Sequence, residues 1–188
     1  KKYPLPENNF SLPSKLEQFR IFLTRNVLSK LTNKQYLLIT FLEAPILAFI
    51  LGFFSKYIAG TVNNPDLYVF SLNENLPSYL FMAVVCALFL GMTISAEEII
   101  KDSKIIQRER FLNLSRTSYL NSKIILMFFI SAIQTITFLI VGNTILEIDG
   151  LLPSYFIIIF STSCFANMLG LNISASLNSV VTIYILIP

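Results

Sequence analysis

The sequence predicts an all-α, polytopic membrane helix bundle, and three observations lead to that fold class. First, 54% of the 188 residues are hydrophobic and 13% are charged, about half the charge of an average soluble domain. Second, apolar runs that reach the ~20 residues needed to cross a bilayer recur between short polar segments. Third, basic residues are concentrated in two of the four polar segments, an asymmetry typical of membrane proteins.

The first 34 residues are polar and basic. Residues 1–13 have the composition of a linker. Ser14 and Glu17 then form the S-x-x-E capping box that begins many helices, which predicts an amphipathic helix over 14–34. Its basic residues lie mostly off the apolar stripe, as in helices that lie in the plane of the cytoplasmic headgroups. The stripe comprises Leu12, Leu16, Phe19, Leu23, Val27 and Leu31.

Four complete spans and the start of a fifth follow from hydropathy. The uncharged stretch after residue 150 is too long for one span, so we divide it at the polar segment 172–178. Because the last apolar run stops at Pro188, we expect the sequence to be a piece of a longer chain. The predicted spans are 35–57, 76–95, 124–146, 152–171 and an incomplete 180–188.

Orientation follows from the number of Lys and Arg residues in each polar segment. Residues 1–34 contain seven, 56–75 one, 95–123 six and 147–150 none. Because basic loops stay on the cytoplasmic side, this places the N-terminus and segment 95–123 in the cytoplasm. The net charge of +3 is too small and too scattered for a nucleic-acid surface.

Few polar groups lie inside the predicted spans. Glu43 is either a proton or substrate ligand, or a bundle-facing residue that is hydrogen-bonded where Pro45 frees a backbone carbonyl. We favour the second interpretation, since no other predicted span contains a charged partner. The polar residues expected to join helices are Gln134, Thr135, Thr137 and Asn143, and Asn167 is a further intramembrane polar candidate. There is no His, and both cysteines lie in apolar runs, so no metal site is predicted.

Segment 95–123 is the longest charged segment after residue 34. Ser95 and Glu98 match a second capping box, and Glu97 and Lys101 form a favourable i,i+4 pair. With its isoleucine pairs and ionic cluster, the segment predicts a cytoplasmic helix that docks a soluble partner rather than a solvated loop. The candidate contact residues are Glu97, Glu98, Lys101, Asp102, Arg108, Glu109 and Arg110.

The same segment resembles the intracellular loop of type-2 ABC exporter permeases, and bacterial relatives of the G-subfamily half-transporters most of all. Helix 14–34 looks like the connecting helix of that family. At Asp102-Ser103 the sequence departs from relatives, which more often carry a Glu-Arg pair. The resemblance rests on residues 95–101, Arg108-Glu109-Arg110, Leu114-Ser115, Tyr119, Ser122-Lys123, Phe165-Ala166-Asn167 and Gly170.

The resemblance implies an ATP-driven exporter of the bacterial cytoplasmic (inner) membrane, with six spans of which five are represented. Two permease domains pair, as a homodimer or heterodimer, and each works with a nucleotide-binding domain that holds ATP and Mg. That domain usually precedes the permease in the same chain. Since residues 1–188 contain no GxxxxGK[ST] loop, no catalytic residue or cofactor is predicted within them.

The resemblance also implies a substrate path at the dimer axis, for which Met82, Phe89 and Tyr184 are candidates. Contact with lipid or with the bundle is an equally good interpretation for each of them. Two other functions stay open. One is an ion- or proton-coupled transporter that uses Glu43, which the lack of a second intramembrane charge weakens. The other is a membrane-anchored interaction or sensor subunit without transport, which only the resemblance disfavours.

Overall fold

The computed structural model describes residues 13–58, 69–70, 73–96, 98–109 and 115–176. Regular structure in these residues is helical, which confirms the predicted all-α class. Four of the helices, α2, α3, α5 and α6, are long and apolar enough to cross a membrane. The helices are α1 (Lys15–Thr32), α2 (Lys34–Phe53, extended by a π-helical turn, Phe54–Ile58), α3 (Leu76–Ser95), α4 (Glu98–Glu109), α5 (Arg116–Leu146) and α6 (Leu152–Ser176).

The predicted capping box begins α1. The Ser14 hydroxyl accepts from the Glu17 amide at 3.3 Å, and the Glu17 carboxylate accepts from the Ser14 amide at 2.8 Å. The side of α1 that is buried carries Gln18, Phe22 and Asn26. None of these three residues belongs to the predicted apolar stripe. Polar pairing with α5, described below, therefore decides which side of α1 faces the bundle.

The apolar stripe of α1 is divided between two environments. Leu23 and Val27 pack beside a core cluster that includes Leu126 and Met127 of α5. Leu16 and Leu31 are exposed. The structure contains no membrane, so the predicted position of α1 in the headgroup plane stays a prediction.

The main core lies where α2, α3, α5 and α6 meet. Ala44 and Ala48 of α2 are fully buried there, beside Phe138 and Leu139 of α5. Small residues let the helices approach closely, as is common between helices in membranes. The opposite side of α2 carries exposed apolar residues, among them Leu38, Leu42, Ile46 and Phe49.

Helices α3 and α6 share the most extensive contact between described helices. Gly91 of α3 lies against α6, where an added Cβ would be 2.6 Å from the Ser163 carbonyl oxygen and 2.7 Å from the Ala166 Cβ. Gly170 of α6 lies in the same way against the Ser95 hydroxyl of α3. Close contact at both glycines fixes the two helices relative to each other.

Two of the predicted spans match their helices, and two are shorter than theirs. The prediction of 76–95 coincides with α3, and 35–57 with α2 and its π-helical turn. The third helix begins at Arg116 rather than at 124, and the fourth continues to Ser176 rather than ending at 171. In both cases polar residues are helical because they have partners on other helices. The predicted linker up to residue 12 and the fifth span, 180–188, lie outside the described residues.

Candidate functional site

The first turn of α4 is capped by a residue of another helix. The predicted cap, Ser95, is wrong: Ser95 is the last residue of α3, and its hydroxyl donates to the Gly91 carbonyl at 2.8 Å. Because the backbone is still helical at Ala96 (φ −64°, ψ −24°), the Ser95 hydroxyl bonds a carbonyl of its own helix rather than the amides of α4. The Ser174 hydroxyl of α6 instead accepts from the amides of Ile99 at 3.0 Å and Ile100 at 3.2 Å.

A buried ionic cluster joins α4 to two other helices. One carboxylate oxygen of Glu98 pairs with the Lys30 ammonium of α1, and the other pairs with the Lys123 ammonium of α5 at 2.9 Å. Lys123 also pairs with Asp102 at 2.8 Å, and the Tyr119 hydroxyl donates to the same Asp102 oxygen at 3.0 Å. We call these five residues the Glu98 cluster. It holds two carboxylates and two ammonium groups, so its formal charges cancel.

The cluster is largely removed from solvent. The Lys123 and Glu98 side chains are 6% and 9% exposed. Charges this deep are stable only when they are paired, because desolvation costs several kcal/mol for each ion. Burial by itself would lower the pKa of Lys30, but the Glu98 carboxylate and Tyr36 outweigh that effect and raise the pKa above its ordinary value. Lys30 therefore stays charged at neutral pH.

Lys30 also links the cluster to the start of α2. Its ammonium donates to the Tyr36 hydroxyl at 3.0 Å and lies 4.1 Å from the centroid of the Tyr36 ring. The first turn of α2 is itself capped by Asn33, whose side-chain oxygen accepts from the Tyr36 amide at 3.1 Å. The junction between α1 and α2 is thus held beside the cluster.

A row of contacts continues the attachment of α1 to α5. The Asn26 amide donates to the Ser122 hydroxyl at 3.1 Å, and the Phe22 and Tyr119 rings meet edge to face, with centroids 5.7 Å apart. Near the start of α5, the Gln18 side-chain oxygen accepts from the Ser115 amide at 2.8 Å. These contacts and the Glu98 cluster bring α1, α4 and the first turns of α5 into one unit.

The structure brings together some of the residues predicted to contact a partner. Glu98 and Asp102 lie in the Glu98 cluster and face the bundle, whereas Lys101 is exposed. At Asp102 the sequence departs from its relatives, and the residue has a defined role here because it pairs with Lys123. Glu97 and Arg110, and the side chains of Arg108 and Glu109, lie outside the described residues.

Sequence reasoning missed Lys30, Tyr119, Lys123 and Ser174 as members of the site. Lys123 carried a usable signal, because it directly precedes an apolar run and a lysine there needs either solvent or a counter-charge. Lys30 lies in the last turn of a helix, where a basic residue has an ordinary capping role. Nothing near Ser174 in the sequence indicates a partner 75 residues away.

The predicted interhelical hydrogen bonds are confirmed in part. The Gln134 side-chain amide of α5 donates to the Thr40 carbonyl of α2 at 2.8 Å, as predicted. Asn167 of α6, predicted only as an intramembrane polar residue, donates from its amide to the Ser131 hydroxyl of α5 at 2.8 Å. Thr137 instead donates to a carbonyl of its own helix. The Asn143 side chain is buried without a hydrogen-bond partner in the described part of the chain.

The hydrogen bond predicted for Glu43 is wrong for the part of the chain that the structure describes. Glu43 is half-buried there, and its carboxylate has no hydrogen-bond or ion-pair partner among the described residues. Gln134 of α5 donates to the Thr40 carbonyl, whereas the carbonyl that Pro45 leaves without an amide donor is that of Phe41, four residues before it.

The substrate-path candidates lie on the exposed side of α3. Met82 and Phe89 are seven residues apart and share that side with Phe81 and Val85, away from α6. Tyr184 lies outside the described residues. The structure therefore places two of the three candidates on one surface and describes no cavity for them.

Comparison with protein families now adds to this geometry. Residues 17–188 match the family model of the ABC-2 type transporter. The chain belongs to this family. Comparison with curated proteins and with solved structures finds no match.

The ABC-2 assignment confirms the resemblance drawn from segment 95–123. The chain is a type-2 ABC transporter permease domain, a multi-pass membrane component of a transporter. Permease domains of this family work with ABC nucleotide-binding domains, so the soluble partner is of that kind. In this ABC-2 permease domain, the connecting helix and the docking helix, which stay predictions, correspond in sequence to α1 and α4.

Proposed function

We propose that this permease domain exports a substrate across the bacterial cytoplasmic membrane by passing the closing motion of an ATP-driven motor through α4 to the spans. The observation that supports this most strongly is the Glu98 cluster. It ties a short, amphipathic helix to α1 and α5 through buried ion pairs. A helix that only closed a loop would have no need of a buried carboxylate such as that of Glu98, which is costly to desolvate.

The two sides of α4 have different roles in this proposal. The side that carries Glu98 and Asp102 is held by lysines of the bundle. Lys101 and Ile105, on another side, are exposed and offer a surface to the nucleotide-binding domain. A displacement of α4 is passed to Lys123 in the second turn of α5. Since α5 has 31 residues, it spans about 46 Å and reaches the far side of a bilayer.

The remaining parts of the proposal concern orientation and partners. The N-terminus and α4 are cytoplasmic, because basic residues are concentrated in 1–34 and 95–123. ATP and Mg are held by the nucleotide-binding domain, which we place in the same chain, N-terminal to the permease. A second permease domain pairs with this one, and the exposed side of α3 with Met82 and Phe89 is a suitable surface for a shared substrate path.

The proposal is tested with the full transporter in inside-out vesicles and a panel of probes: a fluorescent phospholipid, a labelled peptide and a cationic dye. We expect uptake of a probe to require ATP, to be blocked by vanadate, and to persist in Glu43→Gln at about the wild-type rate, since Glu43 holds no structural partner among the described residues. Glu98→Gln, the same chemical change in the buried cluster, serves as the matched control and should reduce uptake.

A proton-coupled transporter would give a different pattern. Uptake driven by an imposed pH gradient without ATP would contradict the proposal. Loss of uptake in Glu43→Gln with normal ATP hydrolysis would assign the carboxylate a direct role. A motor that hydrolyses ATP while none of the probes moves, at any ATP concentration, would favour the non-transporting subunit.

A further inference from the structure

Ser174 connects α6 to the first turn of α4. It is 3% exposed and lies two residues before the described end of α6. Its hydroxyl oxygen accepts hydrogen bonds from the amides of Ile99 and Ile100 at 3.0 and 3.2 Å. Amides in the first turn of a helix have no carbonyl partner within that helix. Ser174 thus acts as the N-cap of α4 although it belongs to a different helix.

The position of this cap gives α4 two separate attachments to the spans. Glu98 and Asp102 attach it to α1 and α5 by ion pairs. The Ile99 and Ile100 amides attach it to α6, because both donate hydrogen bonds to the Ser174 hydroxyl. The nearby Ser95 hydroxyl instead bonds within α3, where it donates to the Gly91 carbonyl.

We propose that Ser174 is a positioning residue that makes α6 follow α4 when the motor closes, independently of the path through Lys123 and α5. The proposal rests on the proposed function, since it names a second route for the same motion. The Ser174 hydroxyl is buried and accepts both hydrogen bonds within 3.2 Å, so a displacement of the first turn of α4 acts directly on α6. Loss of the hydroxyl should therefore disconnect α6 while α5 stays connected through the Glu98 cluster.

The test compares the movements of α6 and α5 against the same reference helix in the full transporter. Cys86 and Cys164 are first replaced by alanine. Spin labels at Ile46 on α2 and Phe165 on α6 report α6, and labels at Ile46 and Phe129 on α5 report α5; all three positions are exposed. Pulsed electron paramagnetic resonance measures each distance without nucleotide and after trapping with ATP and vanadate.

In the wild-type protein we expect both distances to change on trapping. In Ser174→Ala the change of the α6 distance should fall to less than about half, while the change of the α5 distance is kept. Ser174→Thr retains a hydroxyl and should restore the α6 change. Ser161→Ala is the matched control, because the Ser161 hydroxyl bonds only a carbonyl of its own helix, and it should alter neither distance.

Hydrogen–deuterium exchange measures directly whether the first turn of α4 has lost its cap. Loss of an N-cap should make the amides at the start of α4 exchange with deuterium roughly fivefold faster, with no change in α2. An unchanged exchange rate in Ser174→Ala, or an undiminished change of the α6 distance, would overturn the proposal. These results differ from failure of the proposed function, in which the wild-type protein would show no vanadate trapping or no nucleotide-dependent change in either distance.

Discussion

Replacement of Glu98 by glutamine should lower the unfolding temperature of the full transporter in detergent by several degrees. The carboxylate of Glu98 is shared by Lys30 and Lys123, and the three side chains are largely buried. Glutamine leaves the Lys30 ammonium without a counter-charge, although Lys123 keeps Asp102. Removal of one partner of a buried ion pair costs about 3 kcal/mol or more. For a unit of 188 residues that corresponds to roughly 6–12 °C, and the larger full transporter should shift by less.

The matched control is Glu147→Gln. Glu147 also pairs with a lysine, Lys56, at 2.7 Å, but its side chain is 58% exposed. An exposed pair contributes at most about 1 kcal/mol, so the unfolding temperature should change little. The double variant Glu98→Gln with Lys30→Gln should recover part of the loss, because it removes the unpaired charge. An unfolding temperature of Glu98→Gln equal to that of the wild type would show that the cluster is not buried.

Charge reversal at Glu98 should also change the coupling of ATP hydrolysis to transport. Glu98→Lys places a third ammonium group between Lys30 and Lys123, so it should separate α4 from α1 and α5 by repulsion. We expect the ratio of transport to ATP hydrolysis to fall while the protein still inserts into the membrane. A variant that folds, inserts and keeps the wild-type ratio of transport to ATP hydrolysis would show that the Glu98 cluster is not needed for coupling.

The second large effect is expected at Gly91, where α3 and α6 touch through backbone atoms. An alanine Cβ would lie 2.6 Å from the Ser163 carbonyl oxygen and 2.7 Å from the Ala166 Cβ. Because a backbone carbonyl cannot rotate away, the helices must separate. Overpacking of this kind costs about 1–3 kcal/mol, which exceeds the helix-propensity gain of about 1 kcal/mol from alanine. Gly91→Ala should therefore unfold at a lower temperature than the wild type.

Gly52→Ala is the control for helix propensity. The nearest atoms to its added Cβ belong to the Ile145 side chain, at 3.2–3.3 Å. A side chain can yield by a few tenths of an ångström where a backbone carbonyl cannot. Gly52→Ala should therefore stay close to the wild-type unfolding temperature or exceed it. The reverse order of the two variants would show that α3 and α6 are not packed as described.

The positions of the long apolar helices could be predicted because they depend on composition and length alone. The bounds of α3 coincide with prediction, since an uncharged run is flanked on both sides by polar residues. The bounds of α5 and α6 could not be predicted in this way. Residues 116–123 and 172–176 are polar, yet they are helical because Ser118, Ser122, Lys123 and Ser174 find partners on other helices.

The candidate site was predicted as a segment but not as a set of contacts. Charge and amphipathic pattern identified α4 and its residues Glu98 and Asp102. The pattern could not show that both carboxylates turn inward, because their partners Lys30 and Lys123 are distant from them in the sequence. Nor could a local capping rule show that Ser95 is still helical and that Ser174 caps α4 instead. These are consequences of tertiary packing.

The central claim is that the exposed side of α4 contacts the motor. The most direct measurement is photo-crosslinking in the full transporter, with a benzoyl-phenylalanine at Ile105, which is 43% exposed on α4, and at Phe129, which is 63% exposed on α5 within the apolar span. The account predicts an adduct with the nucleotide-binding domain from Ile105, with a yield that changes on trapping with ATP and vanadate, and none from Phe129. An active ATPase that gives no adduct from Ile105, or equal adducts from both positions, would contradict it.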